Sequence, residues 1–224
     1  MPRVSGAAAF FDVDETLVTA KTMFGFLEFH FAATGRPPEL YGRARADLQR
    51  LAEQGTPRED VNRAYYRLYA DASVAELADQ GEQWFERQLA DDGFFHPPGV
   101  QALRRHLAAG DQVVLVSGSF FPCLDPIARH LGAQEALGTP QLVADGRLTG
   151  EVSHPMIGAA KGTAVRAWAR THGLDPDHCS AYGDHATDLE LLRAVGHPVA
   201  VGDDPVLLAE VARSGGGRLA GIGR

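Results

Sequence analysis

Cysteine is almost absent from this chain of 224 residues: Cys123 and Cys179 stand far apart, with no CxxC pair or histidine-rich spacing around them. That excludes a disulfide framework and argues against a zinc site, and their apolar neighbours mark both as small core side chains. No apolar run reaches the roughly 18–20 residues that a membrane helix needs. The N-terminal MPRVSGAAAFF is short for a secretory leader and is interrupted by Asp12, so a cytoplasmic protein without a membrane span is expected. Positive charge is also scarce. The formal net charge is −8, with no basic stripe, which speaks against nucleic acid as a partner. No internal repeat is present. Lysine is the rarest of the basic residues: Lys21 and Lys161 stand against 19 arginines. A chain that uses arginine for ordinary surface charge points to these two positions as places for a compact ammonium rather than a planar fork.

What is present follows two grammars. Residues 7–12 read as a buried strand ending in acids. From about Thr22 to Leu89 apolar residues recur at helical spacing: Phe26, Phe29 and His30; Leu40, Ala44 and Leu48–Leu51; Val61, Tyr65, Leu68 and Tyr69; Leu77, Trp84, Phe85 and Leu89. Breaks at Gly35–Pro38, Gly55–Pro57 and Asp71–Ser73 divide this block into about four helices, and Thr56-Pro57-Arg58-Glu59 reads as a helix N-cap. After His96-Pro97-Pro98-Gly99 strands and helices alternate. The expected order is a helix near 99–109, strand 112–116, helix 122–131, and short strands 141–144 and 147–149 about an Asp145-Gly146 turn. Helix 160–172, strand 178–182, helix 187–194, strand 198–201, helix 205–212 and a last short strand follow. Alternation implies a Rossmann-like parallel sheet covered by helices on both faces. Because one strand precedes the helical block, that block is an insert in the α/β core. The division is 1–20 and 95–224 for the core, 21–94 for the insert.

In such sheets ligands bind beyond the carboxyl ends of the strands. Asp12-Val13-Asp14-Glu15 follows the first strand, Ser117-Gly118-Ser119 the second, and Gly183-Asp184-His185-Ala186-Thr187-Asp188 a later one, while Lys161-Gly162 opens a helix. Each group alone is commonest as a turn, a cap or a solvated end. Together they place acids, a hydroxyl, a glycine and a lysine at one sheet edge. A carboxylate there can be a nucleophile, a second can carry protons, and clustered carboxylates suit Mg²⁺. The hydroxyl, the Gly118 N–H and the ammonium can hold phosphoryl oxygens. A cation and a lysine among them would explain three acids in four residues after an apolar strand.

The ordered set DVDET, SGS, KG and GDHATD resembles the haloacid dehalogenase superfamily along the whole chain. The helical insert resembles the cap of its phosphoserine-phosphatase-like group (subfamily IB, C1-type cap). The resemblance implies Asp12 as nucleophile and Mg²⁺ ligand, and Asp14 as general acid/base with its backbone carbonyl on the metal. It implies Thr16 in orienting the loop, Ser117 and Gly118 on phosphate, Lys161 on both Asp12 and phosphate, Asp184 on Mg²⁺ and Asp188 in support. An acid at Asp14 marks phosphoryl-transfer members. Two departures bear on the substrate: Lys21 stands where phosphoserine phosphatases carry a Glu for the substrate amine, and Thr187 where they carry Asn, so both are candidate substrate contacts. The expected function is a Mg²⁺-dependent phosphomonoesterase acting on a small phosphorylated metabolite. A phosphotransferase or mutase, or a non-catalytic phosphate-binding protein, are the alternatives. Tyr65, Tyr66, Arg67 and Trp84 are further pocket candidates, although aromatics at helical spacing are more commonly core.

Overall fold

The computed structural model describes residues 6–223; the start of the N-terminal segment discussed above lies outside the described residues. The strands are β1 (Ala8–Phe11), β2 (Gln112–Val116), β3 (Glu135–Leu137), β4 (Gln141–Ala144), β5 (Arg147–Val152), β6 (Ser180–Gly183), β7 (His197–Val201) and β8 (Gly217–Leu219). Six of them form one sheet in the order β3-β2-β1-β6-β7-β8, and every pairing in it is parallel. In register, Phe10 of β1 lies between Val114 and Ala181. The chain moves outward from β1 to β2 and β3, then returns to the other side of β1 as β6. The exits of β1, β2 and β6 are therefore neighbours at the reversal point, where open α/β sheets bind ligands.

The helices are α1 (Thr22–Ala33), α2 (Pro38–Glu53), α3 (Arg58–Arg67), α4 (Val74–Leu89), α5 (Pro97–Ala109), α6 (Phe121–Leu131), α7 (Ala159–Thr171), α8 (Leu189–Leu192) and α9 (Pro205–Ser214). Successive side chains of β1 alternate faces, as a pleated strand requires. Ala9 and Phe11 join one apolar cluster with α5, α6 and the inserted helices α1–α4. Ala8 and Phe10 join a second with α7, α8 and α9. The insert has no core of its own: Phe120, at the entrance to α6, packs against Phe26, Tyr65, Tyr66 and Tyr69. Tyr65, Tyr66 and Trp84 are fully buried there, whereas Arg67 is exposed and pairs with Glu151 at 3.1 Å.

Several details differ from the sequence reading. Strand β3 is an additional edge strand, three residues without a β-branched side chain, too short to leave a periodic signal. Thr56 does not cap α3. Its N–H closes the end of α2 on the Leu51 carbonyl, and Pro57 takes the cap position without a side-chain bond. Leu40 and Leu89 are exposed because they sit in the terminal turns of α2 and α4, beyond the packed stripe. The helix expected over 187–194 is a 3₁₀ turn at Ala186–Asp188 followed by the single turn of α8. The Asp145-Gly146 turn is as expected, with φ of 49° and 75°, and the hairpin it joins docks on the insert through Leu148 and the backbone of Asp71 and Ala72.

Candidate active site

Beyond β1 the chain curls tightly: the Val13 carbonyl accepts from the N–H groups of Leu17 (2.9 Å), Val18 (3.1 Å) and Thr16 (3.3 Å). The curl puts Glu15 at φ 63°, a left-handed conformation that costs an L-residue roughly 1–2 kcal/mol. From the far side, α5 presses on the same curl. A Cβ at Gly99 would fall 2.0 Å from the Thr16 oxygen, and His96 Nδ1 lies 2.9 Å from that oxygen. This geometry separates the three acids. Asp12 is buried. Asp14 Oδ1 accepts the Thr22 N–H at 3.0 Å in the first turn of α1. Glu15 is turned away to pair with Lys21.

Lys161 enters from the first turn of α7, almost fully buried, and its Nζ donates to Asp12 and, at 2.6 Å, to Asp188 Oδ1. The other Asp188 oxygen accepts the N–H groups of Asp184 (3.2 Å) and His185 (3.3 Å), which is why a reciprocally capped 3₁₀ turn replaces a regular helix start. Gly183 makes this turn possible, since a Cβ there would sit 2.5 Å from Asp188 Cβ. Thr16 Oγ1 lies 3.4 Å from Asp184 Oδ1.

The electrostatics follow from crowding. Burial, together with the charges of Asp188 and Asp184, pushes the Asp12 carboxyl well above its usual range despite Lys161. Burial and then the Asp188 charge raise Asp184 to about 6. Burial raises Asp14 against the hydrogen bonds from Thr22. Burial alone would discharge Lys161, but Asp12 and Asp188 outweigh it and hold the ammonium protonated. One carboxylate oxygen from each of Asp12, Asp184 and Asp188 lies within 4.8 Å of the others. An all-oxygen set of mutually repelling buried acids suits a hard dication, which would relieve the repulsion. Asp188 already has Lys161 on one oxygen and two N–H groups on the other, so Asp12 and Asp184 are the better-placed donors.

A cavity of about 200 Å³ gathers nine of the ten residues to which the resemblance points: Asp12, Asp14, Lys21, Ser117, Gly118, Lys161, Asp184, Thr187 and Asp188. Thr16 supports it from behind. A larger cavity of about 410 Å³ adjoins Glu15 and Asp184 but contains neither Asp12 nor Lys161, so the smaller one is the candidate site. The structure adds Asn62, Thr139 and Arg58, to which the sequence reading gave no place in the site, and it gives Tyr66, a pocket candidate there, a specific contact. The Gly118 carbonyl accepts Tyr66 OH (2.6 Å), Thr139 Oγ1 (2.9 Å) and Asn62 Nδ2 (3.1 Å), which pins the Ser117–Gly118 turn from the insert and the core together. Arg58, at the start of α3, places Nη1 3.1 Å from both ring nitrogens of His185 and reaches the cavity. The Thr187 N–H makes Nδ1 the acceptor, and burial and the Arg58 charge keep the ring neutral. Asn62 was detectable as a polar residue on the face of Tyr65 and Tyr66, three and four positions on. Arg58 had no such signal.

The profile of the haloacid dehalogenase-like hydrolase family matches residues 9–193. A phosphoserine phosphatase of Mycobacterium tuberculosis is 35% identical, with 94% of this chain and 69% of that one covered. An inhibition of morphological differentiation protein of Streptomyces azureus is 32% identical, covering 93% and 76%. Among solved structures, a protein of unknown function from Bordetella pertussis Tohama I superposes with a TM-score of 0.82 at 30% identity, covering 95% and 97%. A substrate-bound phosphoserine phosphatase superposes with 0.63 at 22%, covering 92% and 96%, and shares the fold. The order and spacing of the acids, the lysine and the parallel strands that present them thus have one explanation in descent: the chain belongs to the haloacid dehalogenase-like hydrolase family, among its phosphatases.

Proposed function

We propose that the chain is a Mg²⁺-dependent phosphomonoesterase that hydrolyses a small phosphorylated metabolite through an aspartyl-phosphate on Asp12. The observation that carries this reading is the buried Lys161 bridging Asp12 and Asp188 at the strand edge. Lys161 holds one oxygen of Asp12, and the other attacks phosphorus in line with the ester oxygen. As that P–O bond breaks, Asp14 gives its proton to the departing alkoxide; burial, which raises its carboxyl, suits it to carry that proton. The Thr22 N–H aims the Asp14 carboxyl. Asp14 then takes a proton from water as the water oxygen attacks phosphorus, which releases inorganic phosphate and restores Asp12. The Ser117 hydroxyl, the Gly118 N–H and the Lys161 ammonium receive the phosphoryl oxygens. A cation held by Asp12 and Asp184, with the Asp14 backbone carbonyl, would supply charge neutralisation for the approach of an anion to an anion.

The four helices α1–α4 act as a cap over this edge, with Lys21, Thr187 and Arg58 facing the leaving group. Lys21 at the position of the amine-reading acid sets the expectation against phosphoserine. Two unpaired buried cysteines agree with a reducing, cytoplasmic setting. The test is a phosphate-release screen of the chain with Mg²⁺ over phosphorylated sugars, amino acids, nucleotides and alcohols, run with and without acceptor alcohols. Release that depends on Mg²⁺ and is lost in Asp12→Asn supports the reading. Phosphate appearing only on an added acceptor would make the chain a phosphotransferase instead.

A further inference from the structure

A second cavity, of about 370 Å³, lies under the insert and shares Met23, Phe24, Arg58 and Ile157 with the catalytic one. The rest of its wall comes from α2 and α3, chiefly Leu48, Ala52, Val61 and Tyr65. We propose that this chamber receives the leaving group, and that the substrate is a phosphate monoester of an apolar alcohol rather than of a compact polar metabolite. The inference rests on the phosphatase reading of the catalytic pocket.

Three features carry it. First, the chamber begins where the leaving group departs: Thr22 holds Asp14, and the next two residues of α1, Met23 and Phe24, line both cavities. Second, most of its polar groups have partners outside it, Gln49 on Glu53 and Arg58 on His185 among them, and the exposed Arg45 guanidinium stands at its rim. Tyr65 OH donates to the Met23 carbonyl at 2.7 Å, Asn62 Nδ2 to Gly118, and Arg45 lies over the Phe24 ring at 5.8 Å. Asn62 Oδ1 is closed off from solvent and unpaired, so it adds no polar surface. Third, Met23, Phe24, Val61 and Ile157 are only half-buried, although they face a concave wall. Pockets of a few hundred Å³ with mainly apolar walls and few polar groups are the usual shape of small-molecule sites. A phosphorylated amino acid would set its ammonium against the like charges of Arg45 and Arg58 or against apolar side chains that cannot pair it. An alkyl or arylalkyl group would instead gain the transfer free energy of each buried methylene.

The experiment compares ethyl, butyl, hexyl and 4-phenylbutyl phosphate with O-phosphoserine on the full chain with Mg²⁺. All are alkyl esters, so leaving-group chemistry is nearly constant. We expect kcat/KM to rise about threefold per methylene from ethyl to hexyl, on the order of 100-fold in all, with the change in KM. Phosphoserine should fall at or below ethyl phosphate. The phenylbutyl arm separates a wide chamber that takes a ring from a narrow one that takes only a chain; a gain for either supports the proposal. Ala52→Trp, on the exposed side of α2, should fill the chamber and collapse the hexyl-to-ethyl ratio to within about fivefold of unity. A flat series, phosphoserine above hexyl phosphate, or an unchanged ratio in Ala52→Trp overturns the inference while leaving the phosphatase reading intact. Binding of the non-hydrolysable hexylphosphonate and ethylphosphonate, read by calorimetry, serves independently of turnover. Tighter binding of hexylphosphonate with no ester hydrolysed would sink the phosphatase reading and keep the chamber.

Discussion

The candidate catalytic edge and the helical insert are built on opposite principles. At the edge, Asp12, Lys161 and Asp188 are ionisable side chains, almost fully buried and locked to one another. In the insert, burial belongs mainly to apolar and aromatic side chains, and apart from Thr22, Asn62 and His30 the polar groups that reach the pocket or stand near it are exposed or half-exposed, as Arg58, Arg45 and Lys21 are. A buried ion pair gives chemistry at a cost in stability, since removing one partner strands the other charge. An apolar insert gives shape, and its walls tolerate exchange of side chains with comparable volume. Substitutions at the edge should therefore change rate, and substitutions in the insert should change which alcohol is released.

The largest effect is expected at Asp12. Asp12→Asn would remove the proposed attacking oxygen and metal donor, and kcat should fall on the order of 10³-fold or more with the fold retained, as circular dichroism would show. Near-normal turnover in a folded variant would break the contrast at its strongest point. Asp14→Asn comes next. It should slow alkyl esters by roughly 10²-fold or more and aryl phosphates less in the first step, because a good leaving group needs no proton. Equal deficits on both substrates would place Asp14 in loop support alone.

That contrast also decides what was legible. Asp12, Asp14, Ser117, Lys161, Asp184 and Asp188 all follow a strand or open a helix, so short motifs in the right order located them, and the parallel pairing of β1 with β2 and β6 brought them together. Asn62, Tyr66 and Arg58 reach the site across 56, 52 and 127 residues of chain, to Gly118 and to His185. Their positions depend on how α3 packs on Phe120, and periodicity carries no information about which element a buried face will meet. The same limit hid β3, which exists only because β2 offers it an edge, and the true start of α3. Tyr65, Tyr66 and Trp84 were legible as core by spacing, yet that spacing did not show that Tyr66 also fixes Gly118.

A third expectation sharpens the electrostatic side of the comparison. In metal-free protein Asp184 titrates at about 6, above its ordinary 3.8, mainly through burial. The folded state then holds the proton more tightly than the unfolded chain. Its share of stability is complete below pH 4 and is lost as pH rises through about 6, on the order of 3 kcal/mol at most. The difference in Tm between the wild type and Asp184→Asn should therefore widen, in favour of the variant, between pH 4 and 7. Mg²⁺ should narrow it, and the variant should need more Mg²⁺ for half-maximal activity. A pH-independent difference that Mg²⁺ leaves alone would mean that the metal is held elsewhere.

The smallest effect belongs to Lys21, at the hinge between the two regions. It enters the pocket as a candidate reader of the substrate, but Glu15 holds it. Burial would lower its ammonium, and the hydrogen bond and charge of Glu15, with Asp14 and Asp184, raise it instead. An ammonium already paired and 46% exposed has little left to offer a second anion, since exposed pairs exchange partners for less than about 1 kcal/mol. Lys21→Ala should therefore raise KM less than about fivefold for an ester with a second carboxylate and leave kcat unaltered. Glu15→Gln is the sharper probe, because it releases the ammonium without removing it. That variant should favour the same dianionic ester by a few-fold, and the gain should vanish in the double variant with Lys21→Ala. A gain that persists in the double variant would trace to the strained Glu15 backbone rather than to Lys21. A gain of more than about 30-fold would make Lys21 a selector held in reserve by its neighbour, moving specificity from the insert to the catalytic edge and reversing the contrast drawn here.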